Sequence, residues 1–154
     1  MIDKVAVRLY MDPGLHKPCD PIKDIDDDIF ELVSKMLICM KINYGVGLSA
    51  NQVGVQKQLC VVSLENNTKQ MAMINPKITH VSKKDRKKLS EGCLSAPRVF
   101  VPKKRYKEIV VECLNLQGDK QIFHLTNLDA RILQHEIDHL NGITIIDNLA
   151  TFKK

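Results

Sequence analysis

The pentad His135-Glu136-Ile137-Asp138-His139 constrains this chain more than any other stretch. Thr126 or Asn127 offers a cap ahead of it and Gly142 a stop behind it, so the pattern predicts a helix across the pentad. On a helix, residues i and i+4 lie one turn apart on one face, and both imidazoles can reach a single metal ion. Glu136 falls about 100° around from His135, near enough to bond a water on that ion without ligating it. With His135 at 0°, Leu128, Ile132, Leu140, Leu133 and Ile137 occupy an apolar arc from about 20° to 200°. Arg131, Asp138, Gln134 and Asn141 form a polar arc from about 240° to 320°. The two histidines border the apolar arc, so the helix turns polar groups inward, which is costly without compensation. The competing reading gives the histidines core hydrogen bonds and Glu136 a nearby lysine. Cap, stop and inward orientation together favour a metal.

Two histidines hold a catalytic ion poorly; three protein ligands and a water are usual. In one protease design the third ligand is a histidine six residues beyond the second, but Ile145 stands there. No Glu follows Glu136, and Asp147 is the sole carboxylate after His139. The third ligand is therefore expected upstream, among His16, His80, His124 and the cysteines. Cys60 and Cys113 sit in apolar strand patterns, Cys39 lies near the stripe of an amphipathic helix, and Cys19 is in a Pro-rich loop. His124 alternates within a strand. Cys93, after Gly92 in an irregular stretch, is the favoured candidate on spacing.

The rest of the pattern predicts an α+β fold, with short antiparallel strands packed around a central metal-binding helix and an N-terminal helix before them. The 154 residues suit one domain, 1–154, without linker or repeat. Acidic Asp24, Asp26, Asp27 and Asp28 precede Ile29, Leu32, Val33, Met36, Leu37 and Met40 at helical spacing, with Asn43 and Gly45 as stops. Gly45–Gln52 reads as a loop whose backbone must approach something closely. Leu59–Leu64, Met71–Ile74, Ile78–Val81 and Val99–Val101 read as strands, with Glu108–Leu114 and Gln121–Leu125 as a hairpin around Gly118-Asp119. Ile143–Ile146 reads as a short last strand. No apolar run approaches the ~20 residues of a membrane span. Five cysteines without a CxxC pair, and no apolar signal core, indicate a reducing, cytoplasmic setting. The net charge of +5 does not by itself imply nucleic acid. The basic stretches Lys83–Lys88 and Lys103–Lys107 read as a solvated loop and an exposed strand end.

Taken together, Gly45–Gln52 (GVGLSANQ), Glu91–Ser95 (EGCLS) and Gln134–Gly142 (QHEIDHLNG) resemble the three signature segments of the peptide deformylase family, in that family's order and at about its separations. The resemblance covers nearly the whole chain. It implies a metal-dependent hydrolase that removes the N-formyl group from the initiator N-formylmethionine of nascent peptides and releases formate. It implies one divalent ion per chain, usually Fe²⁺ in the cell, with Zn²⁺, Ni²⁺ or Co²⁺ found or substituted. Carried over residue by residue, the ligands fall on Cys93, His135 and His139 and the general acid/base on Glu136. Oxyanion donors fall on the Gln52 amide and the Leu94 backbone N–H. The backbone of Gly45, Val46, Gly47 and Leu48 would take the substrate peptide as an added strand. Ser49 stands where the family usually has Ala, and Ala96 where a larger Ile or Val is usual. Both departures lie beside the expected cleft and bear on substrate fit rather than chemistry. The further C-terminal helix of many bacterial members, which docks on the ribosome in some, is not expected here. Expected partners are N-formylmethionyl peptides; a weak ribosome contact through the basic stretches is the less favoured reading of that charge. A monomer is expected, with no membrane and no specific nucleic acid. A module holding structural zinc with the same ligands would need neither Glu136 nor Gln52.

Overall fold

The structure is a computed structural model and describes residues 5–147 and 149. A 3₁₀ turn at Pro13–His16 leads to helix α1, Asp27–Ile42. There follow strand β1, Gly47–Ser49, a 3₁₀ turn at Ala50–Val53, and strands β2, Leu59–Leu64, and β3, Lys69–Val81. Strands β4, Arg86–Cys93, and β5, Ala96–Tyr106, make a separate two-stranded ribbon. Strands β6, Glu108–Leu114, and β7, Lys120–Thr126, precede helix α2, Asn127–Leu140. The main sheet has the order β1-β2-β3-β6-β7, with every neighbouring pair antiparallel. The architecture is the expected α+β class, with the metal-motif helix late in the chain.

Strand β2 explains how the two helices share one sheet. Its six residues are all buried, which breaks the alternation expected of a half-exposed strand. Cys60, Val62 and Leu64 pack with Leu133, Ile137 and Leu140 of α2. Leu59 and Val61, pointing the other way, pack with Ile29, Val33, Met36 and Met40 of α1. The helices therefore cover opposite faces of the sheet. Helix α1 begins where the acidic cluster predicts: the Asp26 carboxylate accepts from the Ile29 N–H at 3.1 Å. Helix α2 closes just before Gly142, whose φ of 78° and a Cβ-forbidding approach of 2.8 Å to the Lys17 backbone both require glycine.

Several expectations are corrected. Met71–Ile74 and Ile78–Val81 are one strand, β3, whose register slips between Ile74 and Lys77 and again between Ile78 and His80. Pro76 in that first interval cannot donate to the ladder, so a bulge carries the strand past it. Val99–Val101 extends to Ala96–Tyr106, and Arg86–Lys88 belongs to β4 rather than a loop. Ile143–Ile146 is not a strand. Thr144 closes a turn on Asp147 through its N–H at 2.8 Å and hydroxyl at 2.7 Å, while Ile145 and Ile146 pack on Ala96 and Val101. Those side chains need burial, which a turn supplies as well as a strand does.

Apart from the exposed Asn141, the polar arc of α2 is also not left in water. The β4–β5 ribbon covers it, and Arg131 and Gln134 are buried. Gln134 bonds the Tyr106 backbone N–H and carbonyl at 3.0 and 2.8 Å, acting as an extra rung for β5. Leu128, on the apolar arc, is instead exposed at the rim of a cleft.

Candidate metal centre and cleft

Helix α2 and the end of β4 bring three ligand atoms together. The Nε2 atoms of His135 and His139 lie 3.1 Å apart, and Cys93 Sγ lies 3.3 Å from His139 Nε2. All three ligand atoms fall within 4.8 Å of one another. Zinc-like bond lengths in a tetrahedron would set the nitrogens about 3.3 Å apart and sulfur about 3.6 Å from each. The observed spacings are close to those, and two imidazoles and a thiolate form a donor set suited to Zn²⁺ or Fe²⁺. The residues therefore fit a single divalent ion. Cys93 is only partly buried, so the group has an open side.

Around this group is a second set of residues that the pentad alone does not reveal. His135 Nδ1 lies 3.1 Å from Glu91 Oε1, which turns its Nε2 toward the cluster. Glu91 is held in turn by Arg105, through Nε at 2.9 Å and Nη2 at 3.0 Å, and by Arg131 Nη1 at 2.5 Å. Arg105 also reaches Asp138 of the pentad at 2.5 Å, and Arg131 bonds the carbonyls of Lys87 and Lys103. Burial alone would push Glu91 up; the His135 and Arg105 hydrogen bonds and charges overcome it and hold the carboxyl at about 2. Burial would likewise push His135 down, but bonds to Cys93 and Glu91 and the Glu136 charge raise it to about 10 in the ion-free protein. Burial and the neighbouring His135 charge push His139 down. An ion must displace the His135 proton, so affinity falls as pH falls.

Glu136 is buried beside the ligands, and burial raises its carboxyl to about 7. Among the described residues its Oε2 has no hydrogen-bond partner, and no lysine meets it. That orphaned atom next to three metal-type donors is the feature the core-hydrogen-bond reading cannot accommodate. Gly47 makes room for Glu136: a Cβ there would lie 2.8 Å from Glu136 Cδ. This is the close approach that the Gly45–Gln52 segment predicts, although Gly47–Ser49 is a strand and Ala50–Val53 a 3₁₀ turn rather than the expected loop.

Gln52 follows β1 in the 3₁₀ turn. Its Nε2 donates to Ser95 Oγ at 3.0 Å and lies 3.5 Å from Cys93 Sγ. Leu94 sits in the turn between β4 and β5 and packs near Gly45. A cleft of about 640 Å³ joins these groups, with Gly45, Val46, Gly47, Cys93, Leu94 and Glu136 in its wall. Leu48 lies apart from the cleft, its side chain fully buried against α1. Val46 accepts from the Ser63 N–H at 2.8 Å, so by strand alternation the Gly47 backbone faces the edge of β1 away from β2. The rejected ligand candidates lie elsewhere. His80 and His124 are exposed, His16 bonds the Tyr10 carbonyl at 2.6 Å, and Cys19, Cys39, Cys60 and Cys113 are core residues. Glu91, Arg105, Arg131 and Asp138 escaped sequence reasoning. The one available signal was a polar arc on α2 too rich in charge to face a sheet unpaired.

An ion site with an open side, a buried partnerless carboxylate and a cleft define a small mononuclear metallohydrolase. The model of the polypeptide deformylase family matches residues 5–154. The chain belongs to that family, whose members are metal-dependent hydrolases removing the N-formyl group from nascent peptides. It is 40% identical over 152 residues to a peptide deformylase of Brachyspira hyodysenteriae, covering 95% of this chain and 81% of that one. The crystal structure of the Thermotoga maritima peptide deformylase superposes with a TM-score of 0.89 at 35% identity, covering 94% of this chain and 96% of that chain. That of Ehrlichia chaffeensis, in complex with actinonin, gives 0.91 at 35%, covering 97% and 90%. Among the described residues no helix is long and apolar enough to cross a membrane.

Proposed function

We propose that the whole chain, 1–154, acts as one catalytic domain in which Cys93, His135 and His139 hold a divalent ion and Glu136, Gln52 and Leu94 carry the deformylation of N-formylmethionyl peptides. The observation that carries this reading is the buried, partnerless Glu136 Oε2 beside the three ligand atoms. A bound ion supplies Lewis acidity and a water acidified toward neutrality. Glu136, poised near 7 by burial, takes the proton of the attacking water and returns it to the leaving amine. Gln52 Nε2 and the Leu94 N–H donate to the oxyanion that develops on the formyl oxygen. Glu91 fixes the His135 ring, and Gly47 leaves the space Glu136 occupies. The Gly45–Leu48 segment takes the substrate as an added strand along the free edge of β1, with the outward-facing Gly47 backbone as the pairing group. Formyl is the smallest acyl group, and the crowding around Glu136 favours it over larger ones.

Fe²⁺ is the proposed ion in the cell, with Zn²⁺, Ni²⁺ or Co²⁺ replacing it in preparations. The protein is proposed to be a cytoplasmic monomer making a weak, salt-sensitive ribosome contact through the β4–β5 basic residues. The test is formate release from formyl-Met-Ala-Ser beside its acetyl analogue, with the metal content of the same sample. Formate at one ion per chain, and no acetate, is expected. Silence of the metal-loaded protein on the formyl peptide overturns the reading.

A further inference from the structure

Ser49, the departure from the family's usual Ala, sits at a junction of buried polar groups. Its backbone N–H and its hydroxyl both reach Gln52 Oε1, each at 3.0 Å. The same hydroxyl lies 2.8 Å from Asn51 Oδ1. Asn51 is itself fixed, because its Nδ2 donates to the His139 carbonyl at 2.6 Å. Both amides therefore turn oxygens toward one hydroxyl proton, which serves as a three-centre donor. The result is a continuous path from the end of the pentad through Asn51 and Ser49 to Gln52, and on to Ser95 and Cys93.

We propose that the Ser49 hydroxyl is a positioning group for the reaction, holding the Gln52 amide with its NH₂ toward the cleft. The inference rests on the oxyanion role proposed for Gln52. A flipped amide would set its NH₂ against the Ser49 N–H, donor to donor. With alanine at position 49 a single N–H remains to hold the amide oxygen, and only the contacts of the NH₂ with Ser95 and Cys93 assist it. The hydroxyl adds a second donor to the same oxygen and ties it to the residue that grips the end of α2. Because Gln52 meets charge that develops only as the formyl carbon becomes tetrahedral, loosening it should act on kcat and leave KM alone.

The experiment is a double-mutant cycle of Ser49→Ala and Gln52→Ala in the metal-loaded enzyme, read as kcat and KM for formyl-Met-Ala-Ser. It is joined by the Gln52 side-chain amide signals of the zinc-loaded protein in a ¹H–¹⁵N spectrum. Ser49→Ala is expected to lower kcat by about 3- to 10-fold, the worth of one neutral hydrogen bond, with KM nearly unchanged. In the Gln52→Ala background the same change is expected to cost nothing further. The Gln52 amide pair should be sharp and single in the parent and broadened or doubled in Ser49→Ala. An unchanged kcat in Ser49→Ala, an equal fold-loss in both backgrounds, or an unaltered amide pair overturns the positioning role while leaving Gln52 in the mechanism. Near-normal turnover in Gln52→Ala alone overturns the oxyanion role and this inference with it.

Discussion

Replacing Glu91 with glutamine removes the one negative charge on which Arg105, Arg131 and His135 converge. Glutamine keeps the shape but supplies one acceptor oxygen and turns an NH₂ toward a donor. Removing one partner of a buried ion pair costs about 3–5 kcal/mol, because the other charge stays buried and unpaired. The carboxyl gives an independent figure. It falls from 4.5 to about 2, a difference of about 2.5, and at 1.36 kcal/mol for each tenfold step in acidity this is roughly 3.4 kcal/mol. The two agree, and against a usual total of 5–15 kcal/mol the loss is large. At roughly 2–4 °C per kcal/mol for a chain of this size, Tm should fall by about 6–20 °C at pH 7. The sign with pH follows from a folded value below the unfolded one. The stabilisation is complete above about 4.5 and is lost as pH falls through about 2, where protonated Glu91 resembles glutamine. Thermal and urea unfolding of the ion-free parent and Glu91→Gln proteins from pH 7 to pH 2.5 read this directly, without ion loss contributing. The gap between them should narrow as the solution is acidified. A Tm within 2 °C of the parent, or a gap that stays constant with pH, refutes the ion-pair account of β4–β5 docking on α2.

Glu136→Ala should retain one ion per chain by metal analysis and lose about 10²- to 10⁴-fold in kcat; near-normal turnover would remove Glu136 from the proton path. Gly47→Ala places a methyl group against the Glu136 carboxyl, so a large kcat loss with Tm little changed is expected, and full activity would contradict the crowding seen there. In the ion-free protein Cys93 should alkylate first. The Cys19 and Cys113 thiols, raised to about 11 by burial, and Cys60, pushed well up by its burial, should react only on unfolding, as peptide mapping would show. The iron form should lose activity in air faster than nickel or zinc forms, since its thiolate ligand is open to oxidation; equal half-lives would count against Cys93 as a ligand.

The sequence by itself determined the periodic and local features. Helix α1 with its acidic start, the β6–β7 hairpin, the stop at Gly142 and the capacity of His135 and His139 to share an ion all follow from spacing and turn chemistry. These are short-range properties, fixed by residues within a turn or two of one another. The signature segments extended that reach to Cys93 and Gln52, which lie far from the pentad in the chain. Only the tertiary structure decided what pairs across long separations. That Glu91 of β4 would be gripped by Arg131 of α2 and Arg105 of β5 depends on how the ribbon lies over the helix. The helical wheel places Arg131 and Gln134 on a polar arc but cannot say that another element covers it. Ser49 is the sharpest instance. In the sequence it is one small residue in place of another, and its partners become visible only once β1, the following turn and the end of α2 meet. A periodic pattern reports which way a side chain points along its own element, whereas the identity of what it meets is set by packing between elements.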